Sequence, residues 1–111
     1  MQYTLHFIEV FIADLGHAGP ILLFLIGVIS LLGLTISRIE GWSAIDGIYH
    51  AFINATTVGY GDIRPTTTSA KLLSIALALT GIVFTGLIVA LALHSAALAF
   101  DEVYHPERPL I

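Results

Sequence analysis

The chain has 111 residues, of which 57% are hydrophobic and 11% charged, with a net charge of −4. Soluble domains carry about a quarter of their residues as charged groups, so this composition argues against a soluble domain and for a membrane protein. The acidic balance speaks against a nucleic-acid partner, which needs a basic face, and the absence of cysteine excludes a disulfide framework, thiol catalysis and a zinc–thiolate centre.

The N-terminus lacks a basic n-region and a small-residue cleavage site, so no cleavable signal peptide is expected. Residues 1–16 place Leu5, Ile8, Phe11, Ile12 and Leu15 at helical spacing, with Gln2, His6, Glu9 and Asp14 on the other face. This predicts an amphipathic helix lying at the membrane interface. An early start of the first span is the alternative, and Gly16 with Gly19-Pro20 favours a break between the two. His6 and Glu9, and Asp14 and His17, are spaced to hold a metal, but a solvated helix face is the commoner use of such pairs.

Residues 20–38 form the first predicted transmembrane helix. The run "PILLFLIGVISLLGLTIS" is uncharged and would extend about 27 Å, close to the hydrocarbon thickness of a bilayer. Pro20 suits a first helical turn. The run closes on "RIEGW", with Trp42 as an interfacial residue.

Residues 43–56 predict a short helix. Ser43 followed by Asp46 resembles a capping box, and Ile45, Ile48, Phe52 and Ile53 supply an apolar face. At roughly 20 Å it is too short to cross a bilayer. It leads straight into "TTVGYGD", so the pair reads as a re-entrant hairpin. Non-helical backbone at membrane depth must be buried in protein or line a cavity.

In residues 57–62, Gly59 and Gly61 tolerate positive φ. Backbone that alternates between left- and right-handed conformations turns successive carbonyls to one side. Val58 and Tyr60 would then point away from the carbonyl row, into packing. Such a ladder, extended by the Thr57 hydroxyl, suits a dehydrated monovalent cation whose water shell the oxygens replace. One chain supplies one ladder, so a symmetric homo-oligomer must supply the rest. The short helix would aim its negative C-terminal end at the same axis. A plain Gly-rich turn is the rival reading, and the full string in this context argues against it.

Residues 70–100 predict the second transmembrane helix, apolar apart from Lys71, His94 and scattered Ser and Thr. Its surplus length implies tilt or projection beyond the membrane. Residues 101–111, "DEVYHPERPLI", form a tail in which Pro106 and Pro109 break any helix.

Thr57-Val58-Gly59-Tyr60-Gly61-Asp62, preceded by Thr56, resembles the potassium-channel signature. The order of span, pore helix, filter and span over most of 20–100 is similar to the two-transmembrane prokaryotic potassium channels. The resemblance implies an all-α membrane protein, with a pore domain over 17–100. It would have two transmembrane helices, a re-entrant pore helix and an extended selectivity filter, and assemble as a tetramer around a central pore. It implies K⁺ as the transported ion, with no organic cofactor. The carbonyls of Thr57, Val58, Gly59 and Tyr60, with the Thr57 hydroxyl, would coordinate it. Gly61 would complete the filter, leading to Asp62 at the outer mouth, and Tyr60 would matter for selectivity. Gly81 stands where the family places its inner-helix hinge. A lone Gly in an apolar helix is also often a packing site, and Gly86 competes for the role.

Some positions depart from the family's patterns. Tyr49 and His50 stand where many members carry Trp, and Ile53 where some carry a Glu that pairs with the filter Asp. Asp62 is expected to accept a hydrogen bond from Tyr49 instead, with His50, Ile53 and Thr56 as further supports. Thr85, Val89, Leu93, His94 and Ala97 would line the inner gate or cavity. A ring of His94 could repel cations when protonated; a snorkelling interfacial His is the alternative. The small residues Ala90, Ala92, Ser95, Ala96 and Ala97 allow either a close helix crossing or a wide mouth.

Arg38, Arg64 and Lys71 flank the central loop, which by the positive-inside rule would face the cytoplasm. The resemblance puts that loop outside and both termini in the cytoplasm of a plasma-membrane protein, and it outweighs four basic residues. The expected function is a K⁺-selective channel in contact with membrane lipid. A non-selective cation channel on the same fold and a subunit of a K⁺ transporter are the alternatives. No catalytic constellation is present, so an enzyme is not expected. Many relatives carry a cytoplasmic regulatory domain after the second helix, which leaves open such a domain or subunit outside this chain.

Overall fold

A computed structural model describes residues 1–107 of the chain. Pro109, read above as a helix breaker, lies outside the described residues, as does the tail's basic residue Arg108. Among the described residues there are four α-helices and no strand: α1 Gln2–His17, α2 Gly19–Glu40, α3 Ala44–Ala55 and α4 Thr68–Tyr104. Contacts group into two units. One joins Met1–Pro20 to the chain from Leu87 onward, and the other is Ile21–Gly86.

In the unit Ile21–Gly86, α2 ends on a chemical signal. Gly41 adopts φ 75°, and the Trp42 N–H donates to the Ser37 carbonyl at 2.9 Å. This is a Schellman closure with Gly at the left-handed position, and it carries α2 two residues past the expected Arg38. At the start of α3, Ser43 is extended (φ −68°, ψ 159°), and its Oγ accepts from the Asp46 N–H at 3.2 Å. Ser43 and Thr56 are therefore caps of the helix rather than part of it. Thr67 caps α4 through Oγ1, which accepts from the Ala70 N–H at 3.3 Å, so α4 starts two residues before the expected Ala70.

The core of this unit is small and tight. Ile29 and Ile36 of α2, Ala51 and Ala55 of α3, and Ala70 and Leu77 of α4 are fully buried. α2 meets α3 through Gly33 and Gly47. A Cβ on Gly47 would lie 2.6 Å from the Gly33 carbonyl oxygen and 2.6 Å from Ser37 Cβ. Small residues permit such approaches between apolar helices, where backbone packing replaces hydrophobic drive.

α2 and α4 are the two helices long and apolar enough to cross a membrane among the described residues, and only 22% and 17% of their most apolar windows are buried in the chain. Leu23, Phe24, Leu31, Ile75, Leu79 and Ile82 point outward. A soluble core helix would bury such residues, so their exposure suits lipid or a second copy. α4 is one uninterrupted helix of 37 residues, or about 55 Å. It passes through Gly81 and Gly86 without a break and ends four residues past the expected Phe100.

In the other unit, α1 lies against the C-terminal part of α4. The Tyr3 hydroxyl donates to the Ala96 carbonyl at 3.1 Å, and its ring meets Phe100 edge-on at 6.1 Å. His6 is bonded to Glu102. Asp14 Oδ2 accepts from Ser95 Oγ at 2.8 Å and bonds His94 Nδ1 at 2.9 Å. The polar face of α1, read from sequence as solvated, thus meets polar groups of α4. Ser95 is fully buried, and a buried hydroxyl requires a partner.

Candidate functional site

The backbone of residues 57–62 alternates. Thr57, Gly59 and Gly61 have φ of 66°, 58° and 79°, and the residues between them do not enter the positive-φ region. Glycine makes this easy at 59 and 61. At Thr57 it is unusual, because a β-branched residue is an outlier in that region and costs about 1–3 kcal/mol to hold there. Such strain persists only where the surroundings over-determine it.

The surroundings are visible in the hydrogen bonds at the end of α3. The Thr57 N–H donates to the Asn54 carbonyl, and the Val58 and Gly59 N–H groups both donate to the Ile53 carbonyl, each at 3.1 Å. The amides of residues 57–59 thus turn back into α3. Among the described residues no donor meets the carbonyls of Thr57 to Gly61. The segment thus spends its donors on α3 and leaves a run of carbonyl acceptors without a donor among the described residues.

Three α3 side chains brace this segment from behind. The hydrogen bond expected from the Tyr49 hydroxyl to Asp62 Oδ2 is present at 3.1 Å. His50 is buried, with Nδ1 3.1 Å from the Ile63 carbonyl and Nε2 3.4 Å from Ser74 Oγ. A carbonyl only accepts, so Nδ1 carries the proton and Nε2 accepts from the serine hydroxyl. The Trp42 ring packs edge-on against the His50 ring at 5.3 Å. Ile53 lines a cavity of about 200 Å³ together with Tyr49, His50, Gly59 and Gly61. Thr56 Oγ1 donates to the Phe52 carbonyl at 2.6 Å, closing the end of α3.

Sequence reasoning missed several supports. Asn54 Nδ2 donates to the Ser74 carbonyl at 3.3 Å, tying α3 to α4. The Glu40 carboxylate accepts from Thr66 Oγ1 at 3.0 Å and from the Thr67 N–H at 3.2 Å. A carboxylate at the start of α4 suits the positive end of that helix. Gly33 and Ser37, like Gly47, Ala51 and Ala55, recur at four-residue spacing, a small-xxx-small signal that was there to be read.

The structure also places the expected hinge and gate residues. Gly81 packs on the end of α3, where an added Cβ would lie 2.6 Å from the Ala55 carbonyl oxygen. Thr85, one turn on, donates through Oγ1 to that same oxygen at 3.0 Å. Gly86 has nothing near its Cβ position. Val89, Leu93, His94 and Ala97 belong to the other unit, where Val89 and Leu93 are exposed. His94 faces Asp14 across two helices of that unit. The His94 bond, with the Ser95 bond second, holds the Asp14 carboxyl below its usual range. The Glu102 bond raises His6 above the usual imidazole value.

Val58 and Tyr60 were expected to pack away from the carbonyl row, yet they are 51% and 70% exposed.

Residues 21–96 match the family described as "Ion channel". The chain is 48% identical over 40 residues to two-pore potassium channel 4 of Arabidopsis thaliana, covering 36% of this chain and 14% of that protein. It is 50% identical over 40 residues to a voltage-gated potassium channel of Aeropyrum pernix, with the same 36% and 14% coverage. A longer match, 38% over 82 residues, covers 74% of this chain and 12% of an uncharacterized protein of Methanothermus fervidus. The chain thus spans only 12–14% of the length of these relatives. No solved structure matches it.

Proposed function

Because this chain belongs to the ion-channel family, we propose that it forms a K⁺-selective channel, passing dehydrated K⁺ down its gradient through a four-fold carbonyl-lined filter. The observation that carries this reading is the alternation of positive φ at Thr57, Gly59 and Gly61. It points the free carbonyls of Thr57, Val58, Gly59 and Tyr60 to one side, and the Thr57 hydroxyl adds a further oxygen. Four such ladders around an axis would replace the hydration shell of a K⁺ ion. Gly61 and Asp62 form the outer mouth, steadied by Tyr49.

Closed four-fold symmetry supplies what one chain lacks. It brings the other three ladders, and it supplies neighbours for the exposed Val58 and Tyr60. The C-terminal ends of four α3 helices would add their negative dipole ends below the filter. The protein would sit in the plasma membrane with residues 41–67 outside and both ends in the cytoplasm. The names of the relatives support K⁺ as the ion.

The test is the reversal potential of the purified protein in liposomes under opposed K⁺ and Na⁺ gradients. A value close to the K⁺ equilibrium potential is expected. A value midway between the two ions would make this a non-selective cation channel. The absence of any K⁺ flux would overturn the channel reading itself.

A further inference from the structure

The last four carbonyls of any α-helix lack donors from within the helix. In α3 three of them are served by the segment that follows. Thr56 serves Phe52 through its N–H at 3.0 Å and its hydroxyl at 2.6 Å. The N–H groups of Val58 and Gly59 serve Ile53, and that of Thr57 serves Asn54. The fourth carbonyl, of Ala55, is served from another helix, by Thr85 Oγ1 at 3.0 Å.

Two features set this bond apart from an incidental contact. Ala55 is fully buried, so its carbonyl has no water to turn to if the hydroxyl is lost. Thr85 also departs from what apolar helices do with hydroxyls. Thr35 and Thr80 each donate back to the carbonyl four residues earlier in their own helix. Thr85 gives up that default and reaches across to α3. Gly81, one turn before it, allows the approach, since a side chain there would collide with the Ala55 backbone.

Ala55 lies two residues before Thr57, the non-glycine residue held at φ 66°. Its peptide plane fixes where the strained turn begins. We propose that Thr85 is a positioning residue for the innermost K⁺ site: its hydroxyl pins the Ala55 carbonyl, and so holds Thr57 in the left-handed conformation that presents its oxygens to the ion. This rests on the K⁺-channel reading and assigns to Thr85 a role in ion coordination without contact to the ion. Bound K⁺ and the Thr85 hydroxyl then favour the same Thr57 conformation. Each substitutes in part for the other, because a ligand stabilises by mass action the state it binds.

The test compares Thr85→Val, which keeps the shape and removes the hydroxyl, with Thr85→Ser, which keeps the hydroxyl. Both are reconstituted in liposomes beside the wild type, at low and at high K⁺. Wild-type K⁺ selectivity checks the underlying reading separately. Thr85→Val is expected to conduct about tenfold less at low K⁺, within the range for a buried carbonyl left without its donor, and to lose K⁺ over Na⁺ preference. High K⁺ should restore much of both, and Thr85→Ser should behave as wild type throughout. A role confined to packing would show no dependence on K⁺. The proposal is overturned if Thr85→Val matches wild type, if its defect is the same at both K⁺ concentrations, or if Thr85→Ser shares it. Should Thr85→Val not assemble, Thr85→Ala takes its place in the same comparison. Failure of both to assemble also overturns the proposal, since the bond would then serve folding and not the ion site.

Discussion

The crossing of α2 and α3 offers a sharp test, because it depends on the absence of a single methyl group. In Gly47→Ala the new Cβ would start 2.6 Å from Ser37 Cβ and 2.6 Å from the Gly33 carbonyl oxygen. Carbon atoms pack at about 3.5–4.0 Å, so the two helices must part by about 1 Å along that line. Overfilling a packed contact costs about 1–3 kcal/mol, and replacing Gly by Ala within a helix returns up to about 1 kcal/mol. A net loss of about 1–2 kcal/mol is expected. Gly27→Ala is the internal control. It lies in α2 with nothing within 4 Å of its Cβ position, so only the helix-propensity gain applies. Thermal unfolding of the purified protein in detergent reads both variants. Adding Ser37→Gly to Gly47→Ala should recover part of the loss by removing one of the two contacts. Equal stability of Gly47→Ala and Gly27→Ala would refute the close-packing argument.

Other consequences follow from single contacts. Tyr49→Phe removes the bond to Asp62 and should weaken the outer end of the filter by about 1 kcal/mol, read as a roughly fivefold change in sustained K⁺ current; an unchanged current would deny the bond a role. Gly81→Ala should reduce stability while Gly86→Ala does not, because only Gly81 lies against Ala55; the reverse order in thermal unfolding would contradict the contact. The docking of α1 should depend on pH in a defined direction. His6 is raised by Glu102 and secondarily by Glu9, so its contribution is complete below the usual histidine range and is lost as pH rises through the raised value. Asp14 is lowered by His94 and Ser95, with His17 a smaller influence. Its contribution is complete above the usual carboxylate range and is lost as pH falls through the lowered value. Protection factors of the α1 amides, with the intrinsic pH dependence of exchange divided out, should therefore be highest in mildly acidic solution and lower above neutrality; equal protection across that range would refute the coupling.

Local chemistry was legible in the sequence, and partnership was not. Ser43 with Asp46 marked the start of α3, and Gly59 with Gly61 marked the alternating backbone, because capping and positive φ are properties of a few adjacent residues. The Tyr49–Asp62 bond was also within reach, since a missing carboxylate at Ile53 left Asp62 needing another donor. Thr57 was harder. Nothing in a β-branched residue announces positive φ, which is imposed by three amides folding back on α3. Gly33 and Gly47 gain meaning only once two helices are known to cross. Asp14 and His94 lie eighty residues apart, and periodicity within α1 says nothing about what faces it. Glu40 is only part of the "RIEGW" that closes the first run, and its grip on Thr66 and Thr67 depends on a loop whose path the composition does not dictate.

The uncovered Val58 and Tyr60 bear on how damage would spread between copies. A residue that finds its packing partner only in a neighbouring subunit makes each copy answerable for the next one's filter as well as its own. In the proposed assembly, one altered chain would disturb both its own carbonyl ladder and the wall behind an intact neighbour's. Substitutions at these two positions should therefore act dominantly when mixed with unaltered chains. Changes at positions that meet lipid and no neighbouring copy should be diluted by them.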